Sequence, residues 1–356
     1  MGLKVLSLFD GMSCGQLALQ RLGIEVDTYY ASEIDKYAIQ VTQANFPETI
    51  QVGDVCNLKA EDYQDVDLIL AGSPCQGFSF SGKQLAFDDP RSALFFEFIR
   101  LLEEIKPKYF LLENVKMKQQ FQNVITEQVS ACYPDYKDGD LFGSQIKPIL
   151  INSALVSAQN RQRLYWTNIP NVEQPVDKNI VLKDILEDLP IENSLSPYMT
   201  KDFDGVNRLE KGIFSFTEKD KSAALTSGSA HPNKYLIHKV EYKAMTEVRT
   251  PEANKIRREH KKKTGKDWSP REMRQLVERD DDKMNTLTTA LTKQHIIQAK
   301  QETKLTFRKL TPLECERLQT VPDNYTNYVS NSQRFKMLGN GWTIDVIAHI
   351  LNNMEL

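Results

Sequence analysis

The sequence predicts an α/β protein with a doubly wound, mostly parallel sheet and a smaller, irregular second domain. Through the first 115 residues, short apolar runs alternate with segments of helical period, and each run ends in a polar or glycine-rich turn. The alternation stops near residue 171, where polar and basic residues begin to dominate, and ordered patterning returns near residue 308. We therefore expect a first domain of residues 1–170 and 306–356 and a second of residues 171–305.

The predicted strands are apolar runs of strand length, and crossover segments separate them. They cover residues 5–8, 26–31, 50–52, 67–71 and 108–112. Five strands with intervening crossovers favour a parallel sheet, because a parallel pair cannot be joined by a tight turn.

The predicted helices follow from apolar periodicity and stop signals. The helix at 16–22 is closed by Gly23, and one at 36–45 follows the second strand. The segment 92–105 carries a single apolar stripe. The last helix, 343–351, has isoleucines and a leucine on one face, so we expect it to pack back on the first domain.

Composition excludes several classes of protein. The chain has 356 residues, 40% hydrophobic and 26% charged, which is typical of globular proteins and excludes fibrous or disordered chains. No run approaches the roughly 18 apolar residues of a membrane span, and Asp10 comes too early for a secretory signal. The five cysteines are odd in number and none are spaced Cys-x-x-Cys, which argues against disulfides and structural zinc. We expect a cytoplasmic protein with no metal.

One side chain of interest follows each predicted strand. These residues are Phe9, Glu33, Asp54, Cys75 and Glu113. Because ligands of doubly wound sheets bind beyond the carboxyl ends of the strands, we expect all five to converge on one edge.

The first turn, residues 9–15, has features of a cofactor loop. Its glycines let backbone amides approach an anionic group, and the following helix adds a favourable dipole. Glu33 stands where an acid commonly binds ribose hydroxyls, and Asp54 can accept from an exocyclic amine. Together they fit an adenosine-containing cofactor. The alternative is a tight turn followed by ordinary loop acids.

Three further segments carry reactive or charged groups. Cys75 lies in a polar turn, which favours a nucleophile over the small buried hydrophobe that most isolated cysteines are. Burial of Glu113 would keep a proton available for donation, whereas a solvated strand end would not. Arg161 and Arg163 precede buried-type aromatic residues, which favours a position in the cleft over a solvated face.

These motifs, in this order, resemble the DNA (cytosine-5)-methyltransferases. The matching segments are Pro74-Cys75-Gln76, Glu113-Asn114-Val115, Gln159-x-Arg161-x-Arg163, residues 308–319 and Gly339-Asn340-Gly341-Trp342. Ser13 replaces the second glycine of the usual first loop. This variant and the Gly-Trp ending are closer to the animal de novo enzymes and related bacterial or phage enzymes.

The resemblance implies a Rossmann-like class I methyltransferase fold, and residue roles. Cys75 would attack carbon 6 of cytosine while Glu113 engages ring nitrogen 3. Arg163 would hold the base oxygen, with Arg161 supporting that geometry. S-adenosyl-L-methionine would donate the methyl group and leave as S-adenosyl-L-homocysteine. The implied cofactor residues are Phe9, Asp10, Gly11, Met12, Ser13, Gly15, Glu33, Ile34, Asp54, Val55, Ser73, Pro74, Asn340, Gly341 and Trp342.

The implied partner is duplex DNA, with residues 171–305 as the target-recognition domain. A stacked cytosine hides its carbon 6, so the base must be extruded. Residues 255–274 hold nine Lys or Arg against three acids, which explains how a chain of net charge −3 can bind phosphates. The implied DNA-binding residues are Gln76, Ser79, Ser81, Lys83, Arg91, Thr286 and Leu287.

Two alternatives stay open from the sequence. One is a tRNA cytosine methyltransferase of the same fold, although a long recognition domain favours DNA. The other is a catalytically silent DNA-binding homologue, although Cys75, Glu113 and Arg163 are all present. We expect a monomer. Partnership with a cognate restriction endonuclease, phage self-protection and gene regulation are equally compatible with the chain.

Overall fold

The computed structural model describes most of the first domain and parts of the second. Described are residues 2–73, 93–136, 145–189, 193–194, 233–234, 236–238, 241–243, 245–268, 273–278, 284–285, 294–299 and 305–356.

The five strands and three helices predicted for the first 115 residues are all present, and further elements follow them up to residue 189. The strands are β1 Leu3–Leu8, β2 Val26–Ser32, β3 Ile50–Gln51, β4 Leu68–Ala71, β5 Tyr109–Val115, β6 Ile149–Asn152, β7 Gln159–Asn160 and β8 Gln162–Thr167. The helices are α1 Cys14–Leu22, α2 Lys36–Asn45, α3 Ala93–Ile105, α4 Gln119–Cys132 and α5 Leu182–Ile185.

Seven of these strands form one sheet in the order β3-β2-β1-β4-β5-β8-β6. The pairs among β1 to β5 are parallel, and β8 is antiparallel to both β5 and β6. The predicted fold class, doubly wound and mostly parallel, is confirmed.

Both faces of this sheet are buried. Alternate residues of one strand serve opposite faces, so Leu68 and Leu70 of β4 belong to one apolar core while Ile69 belongs to the other. Helix α1 packs on the first face and α3 on the second. A fully apolar central strand such as β4 is what burial on both faces requires.

The glycine at position 15 allows α1 to lie close to the sheet. A Cβ there would be 2.3 Å from Cδ1 of Leu70 and 3.0 Å from the hydroxyl of Tyr29. The end of α1 follows the predicted signal, since Gly23 is left-handed and its N–H donates to the carbonyl of Gln20.

The fifth strand is longer than predicted, and this corrects the expected place of Glu113. The sequence puts Glu113 just after the strand, but it lies inside β5, paired with Tyr165 of β8. The antiparallel partner extends the strand to Val115, and an apolar run alone does not reveal such a partner.

The remaining elements comprise a second group of strands and four helices. They are β9 Asn193–Ser194, β10 Asn233–Lys234, β11 Leu236–His238, β12 Glu241–Lys243, β13 Met245–Arg249, α6 Pro251–Thr264, β14 Arg274–Glu278, β15 Met284–Asn285, β16 Gln294–Ala299, β17 Leu305–Lys309, α7 Pro312–Leu318, α8 Asn331–Asn340 and α9 Ile344–Leu351. Helix α9 buries its apolar face in the same core as α1.

Packing suggests different edges for the second domain. Helix α5 lies in the core of the first sheet, whereas β17 pairs with β16 and β9 in a separate sheet. We therefore propose edges near residues 190 and 310 in place of those predicted at 171 and 305. None of the helices in the described ranges is long and apolar enough to cross a membrane.

A buried ion pair joins α7 to α8. Glu316 is fully buried, and its Oε1 lies 2.9 Å from Nη2 of Arg334. The same carboxylate accepts from the backbone N–H groups of Asn324 and Thr326, at 2.7 and 2.9 Å, and from the Thr326 hydroxyl. This set of contacts fixes the turn that leads from α7 to α8.

Replacing Glu316 with alanine should strongly destabilise the protein. The change leaves the Arg334 guanidinium buried without its carboxylate, and breaking a buried pair in this way costs about 3–5 kcal/mol. Urea unfolding followed by circular dichroism measures the loss. The exposed Glu61→Ala is the control, and equal unfolding free energies for the two variants would contradict this account.

Candidate active site

A cavity of about 600 Å³ lies at the carboxyl edge of the sheet. Its walls come from the segments after β1, β2, β3 and β4, from β5 and β8, and from α8 with the turn after it. The lining residues are Phe9, Asp10, Gly11, Cys14, Ser32, Glu33, Ile34, Asp35, Ala38, Gly53, Asp54, Val55, Gly72, Ser73, Leu94, Glu113, Val115, Arg161, Arg163, Gln333, Lys336, Met337, Gly339, Asn340, Gly341 and Trp342. The convergence expected for Phe9, Glu33, Asp54 and Glu113 is thus observed.

The loop after β1 has an unusual backbone. Phe9, Gly11 and Ser13 all have positive φ, at 58°, 60° and 58°. Glycine adopts this conformation freely, but a bulky residue such as phenylalanine rarely does. Strain of this kind tends to lie at functional sites, and here two non-glycine residues with positive φ, Phe9 and Ser13, fall within one short loop beside the cavity.

Glu33 holds this loop in place. Its Oε2 accepts the Gly11 N–H at 2.8 Å, and its Oε1 accepts the N–H groups of Ile34 and Asp35, each at 2.7 Å. Ile34 is 74% exposed at the cavity rim. The carboxylate therefore joins the ends of β1 and β2, and it still faces the cavity.

Beneath the loop, Asp10 is buried among hydroxyl groups. It accepts hydrogen bonds from the Ser13 hydroxyl and, at 2.9 Å, from the Tyr29 hydroxyl. Burial raises the pKa of Asp10 to about 6, and the hydrogen bonds from Ser13, Ser7 and Tyr29 oppose that rise.

Three predicted cofactor residues do not line the cavity. Met12 and Ser13 are buried, and the Ser13 hydroxyl is directed to Asp10, so it does not face a ligand in the cavity. Gly15 lies inside α1 against Leu70 and Tyr29. Because successive residues of this tight loop point to different sides, a motif match does not tell which of them face inwards.

Each carboxylate oxygen of Glu113 contacts a different side chain. Nε of Arg163 lies 2.8 Å from its Oε1, and the indole N–H of Trp342 donates to its Oε2 at 3.1 Å. Glu113 is 8% exposed, and the side chain of Arg163 is 11% exposed. Next to it, the Asn114 amide donates to the Ser73 hydroxyl at 3.1 Å.

Two other polar side chains of residues 159–163, those of Arg161 and Gln159, hold the C-terminal turn. Arg161 donates to the carbonyl oxygens of Gly341 at 2.8 Å and Gly339 at 3.3 Å. Gln159 donates to the Gln319 side chain at 3.2 Å, and Gln319 donates to the Gly341 carbonyl at 3.1 Å. Arg161 and Arg163 both line the cavity as predicted, but Arg161 lies between β7 and β8 and contacts backbone.

Burial raises the pKa of all four cysteines of the described residues. Cys56 is the exposed one among the four, and the neighbouring Asp54 also raises its pKa. Only Cys14 among them lines the cavity, and burial raises its pKa to about 12. Cys132 and Cys315 lie in the apolar cores, with pKa values raised by burial. Within the described part of the chain there is also no cluster of His, Cys, Asp and Glu that could hold a metal ion.

Nine of the predicted site residues lie outside the described residues. They are Pro74, Cys75, Gln76, Ser79, Ser81, Lys83, Arg91, Thr286 and Leu287. Their roles stay predictions.

Sequence analysis missed several lining residues. Gly72, Cys14 and Gly53 are small residues next to recognised motifs, so their proximity was the available signal. Lys336 and Met337 come from α8, and Lys336 forms an ion pair with Asp35 across the rim, at 2.6 Å. Nothing in the helix sequence indicates that this face meets the cavity.

Comparison with known proteins gives a consistent picture. The family model described as C-5 cytosine-specific DNA methylase matches residues 3–356. The orphan methyltransferase M.SPRI of Bacillus phage SPR is 27% identical, over 99% of this chain and 97% of its own length. The type II methyltransferase M.HhaI of Haemophilus parahaemolyticus is 28% identical, over 99% of this chain and 94% of its own.

Solved structures share the fold. The methyltransferase EhMeth of Entamoeba histolytica aligns over 99% of this chain and 98% of that one, with a TM-score of 0.63 and 15% identity. A DNMT2 variant of Spodoptera frugiperda aligns over 99% of each chain, with a TM-score of 0.56 and 20% identity. At these identities the likeness concerns the fold alone.

The buried Asp10 should make stability depend on pH. A pKa raised from 3.8 to about 6 means that the folded state prefers the protonated form of Asp10. The contribution of Asp10 to stability is therefore complete below pH 3.8, and it is lost as the pH rises through about 6. Asp10→Asn removes this dependence. The unfolding free energy of the wild type, minus that of the variant, should fall by about 1 kcal/mol between pH 5 and pH 8.

Urea unfolding at both pH values measures that difference. Glu48→Gln, at an exposed position, is the control for loss of one carboxylate. If the difference between wild type and Asp10→Asn is the same at both pH values, Asp10 does not titrate as its burial implies.

Proposed function

The chain belongs to the C-5 cytosine-specific DNA methylase family, and from that premise we propose that it transfers a methyl group from S-adenosyl-L-methionine to carbon 5 of a cytosine extruded from duplex DNA, through a covalent bond between Cys75 and carbon 6. The motif resemblance to this family is confirmed. One observation supports the detailed mechanism best: Arg163 and Trp342 hold the carboxyl group of Glu113 in the cavity that Glu33 and Asp54 also line.

The lining residues fit the proposed cofactor. A volume of about 600 Å³ lies in the usual range for small-molecule sites. Phe9 offers an aromatic surface for adenine, and the carboxylates of Glu33 and Asp54 offer acceptors for ribose hydroxyls and the adenine amine. Asn340 and Trp342 complete the wall. When bound, S-adenosyl-L-methionine supplies an electrophilic methyl group next to the base.

The proposed nucleophile is the Cys75 thiol. Ser73 lines the cavity, and Cys75 follows it by two residues, a separation that spans at most about 7 Å of chain. A thiolate that adds to carbon 6 pushes electron density onto carbon 5, which is otherwise too weak a nucleophile to accept a methyl group. Carbon 5 would take the methyl group, with S-adenosyl-L-homocysteine as the leaving group. A base would then accept the carbon 5 proton, and the electrons of that C–H bond would restore the ring double bond and expel the thiolate.

Glu113 and Arg163 are proposed to stabilise charge on the base during this addition. A protonated Glu113 donates a hydrogen bond or a proton to ring nitrogen 3, where negative charge develops. Arg163 places a fixed positive charge beside the same carboxyl group and, in the proposal, donates to the base oxygen. Arg161 is proposed to support this geometry through its hydrogen bonds to the carbonyl oxygens of Gly339 and Gly341.

Helix α6 is the described surface that favours DNA as the partner. It presents the exposed side chains of Lys255, Arg258 and Lys262 at spacings of three and four residues, so they share one face. Only Ala253 of this helix is buried. A cationic helix face of this kind fits the phosphates of a duplex.

Partners and location are proposals as well. The type II relatives suggest a cognate restriction endonuclease, and the phage relative suggests self-protection. We propose a monomeric enzyme that acts on cytoplasmic DNA.

A methyl-transfer assay tests the proposed function. With tritiated S-adenosyl-L-methionine, label should enter duplex DNA and not tRNA, and Cys75→Ala should abolish transfer, because the proposed covalent bond to carbon 6 is made by this thiol. DNA binding by the variant should stay within about threefold of wild type, since binding rests on phosphate contacts. Label confined to tRNA would overturn the DNA proposal, and unchanged turnover by Cys75→Ala would overturn the mechanism.

The face of α6 should contribute to the salt dependence of DNA binding. Each phosphate contact adds roughly 0.9 to the slope of log Kd against log salt concentration, so Lys255→Gln/Arg258→Gln/Lys262→Gln should lower the slope by about 2–3. Fluorescence anisotropy with a labelled duplex, at NaCl concentrations of roughly 50–200 mM, measures this slope.

The matched control is Lys59→Gln/Lys106→Gln/Lys183→Gln. These lysines are exposed, and their replacement gives the same net charge. Equal slopes for the two triple variants would show that only net charge matters and that α6 does not meet phosphates.

A further inference from the structure

Trp342 makes a contact that a cavity wall does not require. The sequence motif assigns this residue to the cofactor pocket, and it does line the cavity. Yet the residue is 8% exposed, and its indole N–H donates to Oε2 of Glu113 at 3.1 Å. A wall of the pocket needs only an aromatic surface, whereas this hydrogen bond specifies one orientation of the ring and one of the carboxyl group.

The indole ring is fixed by the glycine below it. A Cβ on Gly72 would lie 2.9 Å from Nε1 and 3.0 Å from Cζ2 of Trp342, which is closer than real Cβ atoms come. The ring therefore lies directly on the backbone at the end of β4. A side chain at position 72 would therefore require the indole ring or the backbone beneath it to shift.

The backbone before Trp342 is fixed as well. The carbonyl of Gly341 accepts from Arg161 at 2.8 Å and from Gln319 at 3.1 Å, and the Gly341 N–H donates to the carbonyl of Met337 at 2.7 Å. A turn residue whose N–H and carbonyl groups are both hydrogen-bonded has little freedom. Trp342 thus leaves a rigid turn in a defined direction.

We propose that Trp342 is a positioning residue for Glu113, in addition to its part in the cofactor pocket. This inference rests on the proposed function. Arg163 holds Oε1 and Trp342 holds Oε2, so rotation of the carboxyl group breaks at least one of the two contacts. The acid is oriented before a base arrives, and orientation of a reacting group contributes directly to rate.

The inference gives Arg161 a definite task. Arg161 acts on the reaction through Gly341 and Trp342, whereas Arg163 contacts Glu113 itself. The two arginines of residues 159–163 therefore support the two oxygens of one carboxyl group, one of them directly and the other through the C-terminal turn.

Trp342→Phe tests the proposal, because it keeps an aromatic ring and removes the N–H donor. Loss of one hydrogen bond to the acid should lower kcat about tenfold, with KM for S-adenosyl-L-methionine within about twofold of wild type. In a Glu113→Gln background the same change should cost less than about twofold, because the carboxyl group it positions is gone. Steady-state kinetics of all four enzymes on duplex DNA provides the cycle.

Two further variants guard the interpretation. Trp166→Phe also removes a buried indole hydrogen bond, to Thr126 at 3.0 Å, but outside the cavity lining, so its kcat should match wild type. Gly72→Ala keeps Trp342 but displaces its ring, so it should reproduce the loss of kcat even if Trp342→Phe folds poorly.

The outcomes separate this inference from the proposed function. A wild-type enzyme with no methyl transfer contradicts the proposed function. An active wild type in which Trp342→Phe costs the same factor with and without Glu113, or raises only KM for S-adenosyl-L-methionine, shows that Trp342 is a wall of the pocket and overturns the positioning role.

Discussion

The architecture of this protein depends on taking one carboxyl group out of water and engaging both of its oxygens. A buried carboxylate is costly unless it is paired and hydrogen-bonded. At Glu113 the two partners come from opposite directions, Arg163 from the neighbouring strand and Trp342 from a turn that is 229 residues away in sequence. The site is therefore complete only when the C-terminal segment is docked on the sheet.

The pairing of β5 with β8 explains half of this arrangement. Glu113 is opposite Tyr165, and Arg163 is two residues further along the same strand, so all three side chains share a face of the sheet. Diagonal neighbours in an antiparallel pair lie within reach of long side chains, and a guanidinium is long enough to close the distance. The antiparallel direction of β8 sets the register that brings Arg163 next to Glu113, so the change of strand direction is part of the site.

Sequence patterning predicted the parts of the site that depend on local order. The alternation of apolar runs and helices places Phe9, Glu33 and Asp54 at one edge, because parallel strands end together, and the cavity lies there. That reasoning does not extend to single residues of the loop 9–15, where backbone conformation and not residue type decides which side chains face the cavity. Ser13 has positive φ and its hydroxyl is directed to the buried Asp10, a detail that no periodicity encodes.

Contacts between distant segments were beyond the reach of pattern analysis, and residues 159–163 show why. From sequence, Arg161 and Arg163 lie at alternate positions of one strand, so both are expected to point into the cleft. In the structure a break between β7 and β8 falls at Arg161, and the side chains at positions 159, 161 and 163 each meet a different partner: Gln319, the Gly341 carbonyl and Glu113. Two of these partners belong to the C-terminal segment, so this short stretch of chain connects that segment to the acid. Gln159 and Arg161 hold the C-terminal turn, and Arg163 holds Glu113. The indole of Trp342, which follows the turn, makes the second contact with Glu113.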